Sequence, residues 1–241
     1  MSQRRFIIAA AVALIVAMAA FFIYAGQYDA AGPEAAAALI SGDGVTVTPT
    51  SYGWHFDGPA DDRALIFYPG AKVAAEAYAP FLRRLAASGL DACLVRMPFR
   101  LALFGKDRAA AVMGRHDYPR WVVGGHSLGG AMAALYAAEH PEDLRGLVLC
   151  AAYPTKPLPE NLTVVTLYGS NDGVLNRQRL EEDRKYLPPG SVTHVIEGGN
   201  HAGFGDYGPQ KGDGPAAIDA SAQQAEAARV ILEALAGRVI A

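Results

Sequence analysis

The stretch RWVVGGHSLGGAMAALYAAEH, residues 120–140, joins a short apolar run to an alanine-rich one through four glycines and a single serine. Gly124, Gly125, Gly129 and Gly130 mark a tight turn, and two readings of Ser127 fit it. In one the serine caps the helix that follows. In the other the glycines let the backbone take a strained strand-to-helix turn that presents the hydroxyl as a nucleophile. GHSLG fits G-x-S-x-G through Gly125, Ser127 and Gly129. The pattern carries meaning only between a strand and a helix, which is where it stands here. A helix beginning at this point also brings N–H groups and a partial positive charge to where an oxyanion would form.

Outward from that turn, short apolar runs alternate with stretches of helical period. VTVTPT and SYGWHF read as two opening strands or a hairpin, and ALIFY (64–68) as a third strand. YAPFLRRLAASG follows as a helix, with Pro80 in its first turn and Gly89 at its end. DACLVRMP is a strand closed by Pro98, and KDRAAAVMGRHDY is helical in composition. After the 120–140 unit come the strand GLVLC, the strand TVVTLYG, the polar-faced helix RQRLEEDRKYL and the strand SVTHVIEGG. SAQQAEAARVILEALAGRV closes the chain as an amphipathic helix facing inward through Val230, Ile231 and Leu235. Strands of four to seven residues between longer helices predict βαβ units, hence an α/β class with a mostly parallel twisted sheet and helices on both faces. In such sheets the chemistry sits in loops at the carboxyl ends of the strands.

A neutral serine needs a base to take its proton and a third group to orient that base. SNDG follows the strand TVVTLYG and places Asp172 at a carboxyl end; GGNH follows the next strand and places His201 in the equivalent position. Serine, aspartate, histidine is one of the chain orders in which such a triad is known. Asp183 and Glu181 lie within a polar helix, His194 within a strand, and His55, His116 and His140 away from the expected positions; His126 precedes the serine. No two histidines have H-x-x-x-H spacing, so no zinc site is expected. For the oxyanion, the backbone N–H of Leu128 is one donor. The loop YPGAKV supplies the other, from Ala71 or, as the alternative, from Lys72.

The chain has 241 residues, a formal charge of −3 and a pI near 6.1, with acidic and basic residues interspersed. Nucleic acid is therefore not an expected partner. Residues 6–25 carry no charge and follow Arg4 and Arg5. The length suits one bilayer crossing, with 1–5 cytoplasmic and the body outside; a cleaved signal peptide is the competing reading. Residues 26–44 read as a linker with at most a short marginal helix, and 45–241 as one domain.

From about residue 45 onward, FYPGAKV, RMPF, GGHSLGG, YGSNDG and GGNHAGFGDYGPQ together resemble the α/β-hydrolase superfamily, in a branch close to the dienelactone-hydrolase-like group. The resemblance implies the α/β-hydrolase fold, no cofactor, and a serine hydrolase of the carboxylesterase type with Ser127, Asp172 and His201 as triad. Dienelactone hydrolases use a cysteine nucleophile where this chain has Ser127, so their substrate is not carried over. The strand order it implies puts two strands between Cys93 and Cys150, about 14 Å apart at ~4.8 Å per strand and too far for a disulfide. Many hydrolases of this fold carry a lid after the sixth strand, but AAYPTKPLPEN leaves no room for one, so an open cleft is expected.

Lys72 and Arg96 end the third and fourth strands as candidate substrate-binding cations, against the alternative of loop salt bridges. The glycine-rich run from 198 to 214 is expected to wall the site. Asp206, Asp213 and Asp219 have calcium-ligand chemistry but not the spacing of an EF-hand loop. The expectation is a capless enzyme, anchored in the membrane by its N-terminal helix, that cleaves a small-molecule or lipid-like ester. An envelope acyltransferase with the same triad and a non-catalytic tethered binding domain are the alternatives.

Overall fold

A computed structural model describes residues 3–59 and 62–237. The apolar runs become eight strands: β1 (Thr46–Pro49), β2 (Gly53–Asp57), β3 (Arg63–Tyr68), β4 (Asp91–Val95), β5 (Arg120–His126), β6 (Gly146–Cys150), β7 (Thr163–Gly169) and β8 (Val192–Ile196). They form one sheet in the order β1-β2-β4-β3-β5-β6-β7-β8. β2 runs antiparallel to β1 and β4, and every other pair is parallel. This is the α/β-hydrolase arrangement that the motifs implied.

The helices that follow the strands are α3 (Ala79–Ala87), α4 (Arg108–Met113), α5 (Leu128–Glu139), α6 (Arg177–Glu182) and, after the last strand, α7 (Ala220–Leu235). Alternation along β3 sorts its side chains between two cores. Leu65 and Phe67 pack with Phe81, Leu82 and Leu85 of α3 and Val230 and Ile231 of α7. Ile66 and Tyr68 face Ala109 and Val112 of α4 and Ala133 and Ala137 of α5. Each fully buried leucine, isoleucine or phenylalanine contributes about 1.5–3 kcal/mol. β4 and β6 are buried at every position, as strands covered on both faces must be.

Three expectations change at this level. The helix read from KDRAAAVMGRHDY spans only Arg108–Met113, because Gly114 ends it and the following residues turn toward β5. The C-terminal helix stops at Leu235 and Gly237 turns to φ 69°, while residues 238–241 lie outside the described residues. The segment 26–44 is not a free linker. Its helix α2 (Pro33–Ala38) buries Ala35 completely, and the N–H of Ala35 donates to the Asp206 carboxylate at 2.8 Å. Arg83 of α3 donates to the carbonyls of Ala38, Ile40 and Gly42, at and beyond the far end of α2.

Cys93 on β4 and Cys150 on β6 are separated by β3 and β5, and both are free and buried. Burial pushes the Cys93 thiol up to about 12 and Cys150 higher still, so both stay protonated. Residues 151–162, between β6 and β7, contain no helix, and the sheet end above β6 is left without a cap. Helix α1 (Gln3–Gly26) has a mean hydropathy of 3.0 over its apolar window, none of it buried against the body. It is long and apolar enough to cross a membrane or to serve as a signal sequence.

Candidate active site

Ser127 links β5 to α5 at φ 52°, ψ −122°. For a residue with a Cβ this conformation costs about 1–3 kcal/mol and persists only where the surroundings enforce it. The glycines around it do different work from that expected. Gly125, Gly129 and Gly130 have no unusual φ; they allow contact. A Cβ on Gly129 would stand 2.1 Å from the Tyr68 carbonyl oxygen, and one on Gly130 2.6 Å from Ala152 Cβ. Bare backbone thus lets α5 start directly against the ends of β3 and β6, and the strain falls on the serine. Ser127 occupies the N-cap position, yet its side chain makes no capping hydrogen bond. Its N–H is held by the Cys150 carbonyl at 2.9 Å.

Asp172 follows β7 and His201 follows β8, each almost fully buried. His201 Nδ1 lies 2.9 Å from Asp172 Oδ2. Against an ionised carboxylate Nδ1 carries the proton, which leaves Nε2 with a free lone pair. That Nε2 is buried and has no partner among the described residues. Asp172 Oδ1 accepts the N–H groups of Val174 and Leu175, both at 2.8 Å. Burial alone would raise the Asp172 carboxyl. The hydrogen bond and charge of His201, with those two N–H groups, outweigh burial and hold it below the ordinary value.

Ser127 and His201 line one cleft of about 330 Å³ with Leu128, Tyr153, Val174 and Leu175. No hydrogen bond joins the Ser127 hydroxyl to His201 Nε2. Leu128 begins α5, so its N–H has no partner within the helix. In the facing loop Gly70 N–H donates to Tyr78 Oη at 3.1 Å and Lys72 N–H to the Arg100 carbonyl at 2.9 Å. Between them, Ala71 N–H has no partner among the described residues, so the occupied donor of Lys72 leaves Ala71 as the one available.

Two residues here escaped the sequence reading. Asp213 accepts N–H bonds from Gly173, His201, Ala202 and Gly214, clamping the aspartate loop to the histidine loop. Its sequence context offers it only calcium-ligand chemistry, with Asp206 and Asp219. Those two also serve backbone N–H groups, of Ala35 and of Ala222 at the start of α7. His126 packs its ring 4.4 Å from that of His201 and meets Tyr78 Oη through Nδ1 at 2.8 Å. Burial, and next the neighbouring His201, hold His126 well below its ordinary value, so it stays neutral.

The two candidate cations lie outside the Ser127 cleft. Arg96 sits over the Trp54 ring and 3.7 Å from Glu76, lining a neighbouring cavity. Lys72, at φ 60°, places Nζ over the Tyr24 ring. Elsewhere the fold gathers His55, Cys93 and His116 with ligand atoms within 4.8 Å of one another, which spacing along the chain conceals. These groups satisfy one another through Tyr52 and Tyr118.

An eight-stranded sheet in this order, with a serine elbow after β5 and a histidine–aspartate pair after β7 and β8, defines an α/β-hydrolase. The chain belongs to the α/β-hydrolase family, whose model matches residues 64–225. Similar solved structures include a CIB-like hydrolase from Thermoplasma acidophilum, at 13% identity and TM-score 0.60 over 80% of this chain and 100% of that one. The carboxylesterase CesB from Bacillus subtilis gives 12% and 0.56 over 90% and 98%. A bacterial heroin esterase gives 16% and 0.55 over 84% and 88%. At these identities the likeness is one of fold. No curated protein matches the chain.

Proposed function

We propose that the protein is a serine esterase held at a membrane by α1. His201 Nε2 takes the proton of Ser127 as Oγ attacks the ester carbonyl, and Asp172 keeps His201 in the tautomer that can do so. The N–H groups of Leu128 and Ala71 hold the oxyanion, and each such donor contributes on the order of 3 kcal/mol to the transition state. The alcohol leaves with the proton from His201. Water, deprotonated by the same imidazole, then releases the acid and restores Ser127.

The observation that carries this reading is the buried, unpartnered Nε2 of His201, opening on the cleft that holds a strained, uncapped serine. His126 Nε2 is buried and unpartnered as well, but it does not line the cleft; what sets His201 apart is the Asp172 carboxylate on its Nδ1 together with the Ser127 cleft in front of its Nε2. The esterase names borne by two of the similar folds agree with it. A fluorophosphonate probe should label the wild-type chain and not Ser127→Ala, with hydrolysis of a short-chain ester lost in parallel. Folded wild type that takes no label would defeat the proposal and favour a binding domain.

A further inference from the structure

The last turns of α1, the loop around residues 98–104 and the loop after β3 make one surface. Lys72 Nζ lies 4.2 Å above the Tyr24 ring and the Arg100 guanidinium 3.4 Å above Tyr28. Phe21 meets Phe99 and Phe104 edge-on at 5.1 and 5.9 Å. Around these contacts Phe99, Leu103 and Phe104 stand 44%, 61% and 51% exposed. Lys72, Phe99 and Arg100 all have positive φ, at 60°, 54° and 57°. Three strained residues that are not glycine, in two loops tied by the bond from Lys72 N–H to the Arg100 carbonyl, mark a surface held in an unfavourable shape. Among the described residues neither Lys72 nor Arg100 forms an ion pair.

The position of this surface gives it meaning. Residues 5–20 of α1 are exposed throughout, so the helix touches the body only near its end and leaves it here. Both loops follow parallel strands at their carboxyl ends, the same edge of the sheet from which Ser127 and His201 rise. A membrane crossed by α1 therefore lies against the catalytic face. Aromatic rings interleaved with cations at the foot of an apolar helix are the composition of a bilayer interface. Beside the oxyanion loop, Pro69, Glu76, Arg96, Met97, Phe99 and Arg100 line a cavity of about 270 Å³.

We propose that this surface seats the enzyme on an anionic leaflet. Lys72, Arg96 and Arg100 hold the headgroup of an anionic lipid, Phe99, Leu103 and Phe104 enter the acyl boundary, and the cleft takes an acyl ester from that lipid. The inference deepens the esterase reading and rests on it and on α1 as anchor.

The full chain is tested in vesicles of phosphatidylcholine alone or mixed with phosphatidylglycerol. Flotation with the vesicles reports the anchor. Phe104→Trp reports the seat, because the native Trp54 and Trp121 are buried; its fluorescence should shift to the blue and be quenched by lipids brominated on their acyl chains. A chain that floats without quenching overturns the seat and leaves the anchor standing; a chain that does not float overturns both.

Each cation near an anionic surface contributes about a fivefold preference. The double variant Lys72→Gln/Arg100→Gln should thus lower hydrolysis of a vesicle-borne anionic lipid ester, relative to a soluble short-chain ester, by about 25-fold. Equal losses on both esters overturn the headgroup site. Wild type that cleaves the short-chain ester with no preference for the anionic lipid overturns the inference and leaves the esterase intact. A chain inactive on every ester overturns the esterase reading, and this inference with it.

Discussion

Asp172 divides its two oxygens between two tasks, one holding His201 Nδ1 and the other the N–H groups of Val174 and Leu175. Asp172→Asn preserves the shape but offers an amide to Nδ1, moving the imidazole proton to Nε2, where it blocks the acceptor that Ser127 requires in the proposed mechanism. Ester turnover should fall about 10⁴-fold with the fold intact by circular dichroism; a loss under tenfold would remove Asp172 from its role. Asp213 acts one step further out. Asp213→Ala strips the acceptor from four backbone N–H groups, those of His201 and Ala202 among them. The released histidine loop should lower kcat about 100-fold while substrate affinity changes little. Unchanged kcat would show that the loop holds His201 without that carboxylate. The placing of Ser127, Asp172 and His201 at the ends of β5, β7 and β8 was legible because each follows an apolar strand. Asp213 was not, because its partners are backbone N–H groups, which no residue name in a sequence distinguishes.

Helix α5 depends on what its glycines lack. The clash of a Gly129 Cβ is with the carbonyl oxygens of Tyr68 and Pro69, backbone atoms that cannot swing aside as a side chain end would. Gly129→Ala should accordingly cost about 3 kcal/mol in urea unfolding, with loss of the Ser127 label in the fraction that still folds. A cost within experimental error would mean that α5 retreats without harm to the elbow. Strand and helix identities came through in the sequence because their apolar periods are set by the two cores. Helix α2 did not. Six residues of Pro-Glu-Ala-Ala-Ala-Ala are too short to hold a helix by propensity. It exists because Asp206 and Arg83, distant in the chain, satisfy backbone groups at or beyond its two ends.

Across the whole molecule, burial keeps several histidines neutral, and that sets the response to acid. His126 is fully buried and held well below its ordinary value of 6.5; burial also lowers His55 and His116. Unfolding returns each to water, where it takes up a proton below about 6.5. The unfolded chain then binds more protons than the folded one, so stability falls as pH drops through 6.5 and keeps falling until the folded values are reached. His126 alone contributes a slope of about 1.4 kcal/mol per pH unit in that window. Asp172 acts in the same direction at lower pH, because there too the unfolded chain binds the extra proton. Its carboxyl is depressed below 3.8 in the fold, so its contribution is complete above that value and disappears only beneath it. Melting temperature followed from pH 7.5 downward should therefore decline from about 6.5, well before any carboxylate titrates. His126→Asn keeps an acceptor for the Tyr78 hydroxyl, removes the titrating ring, and should flatten that decline even though it lowers stability at pH 7.5. An acid limb as steep as that of wild type would show that the proton taken up on unfolding goes elsewhere, and that His126 is not the neutral floor beneath His201.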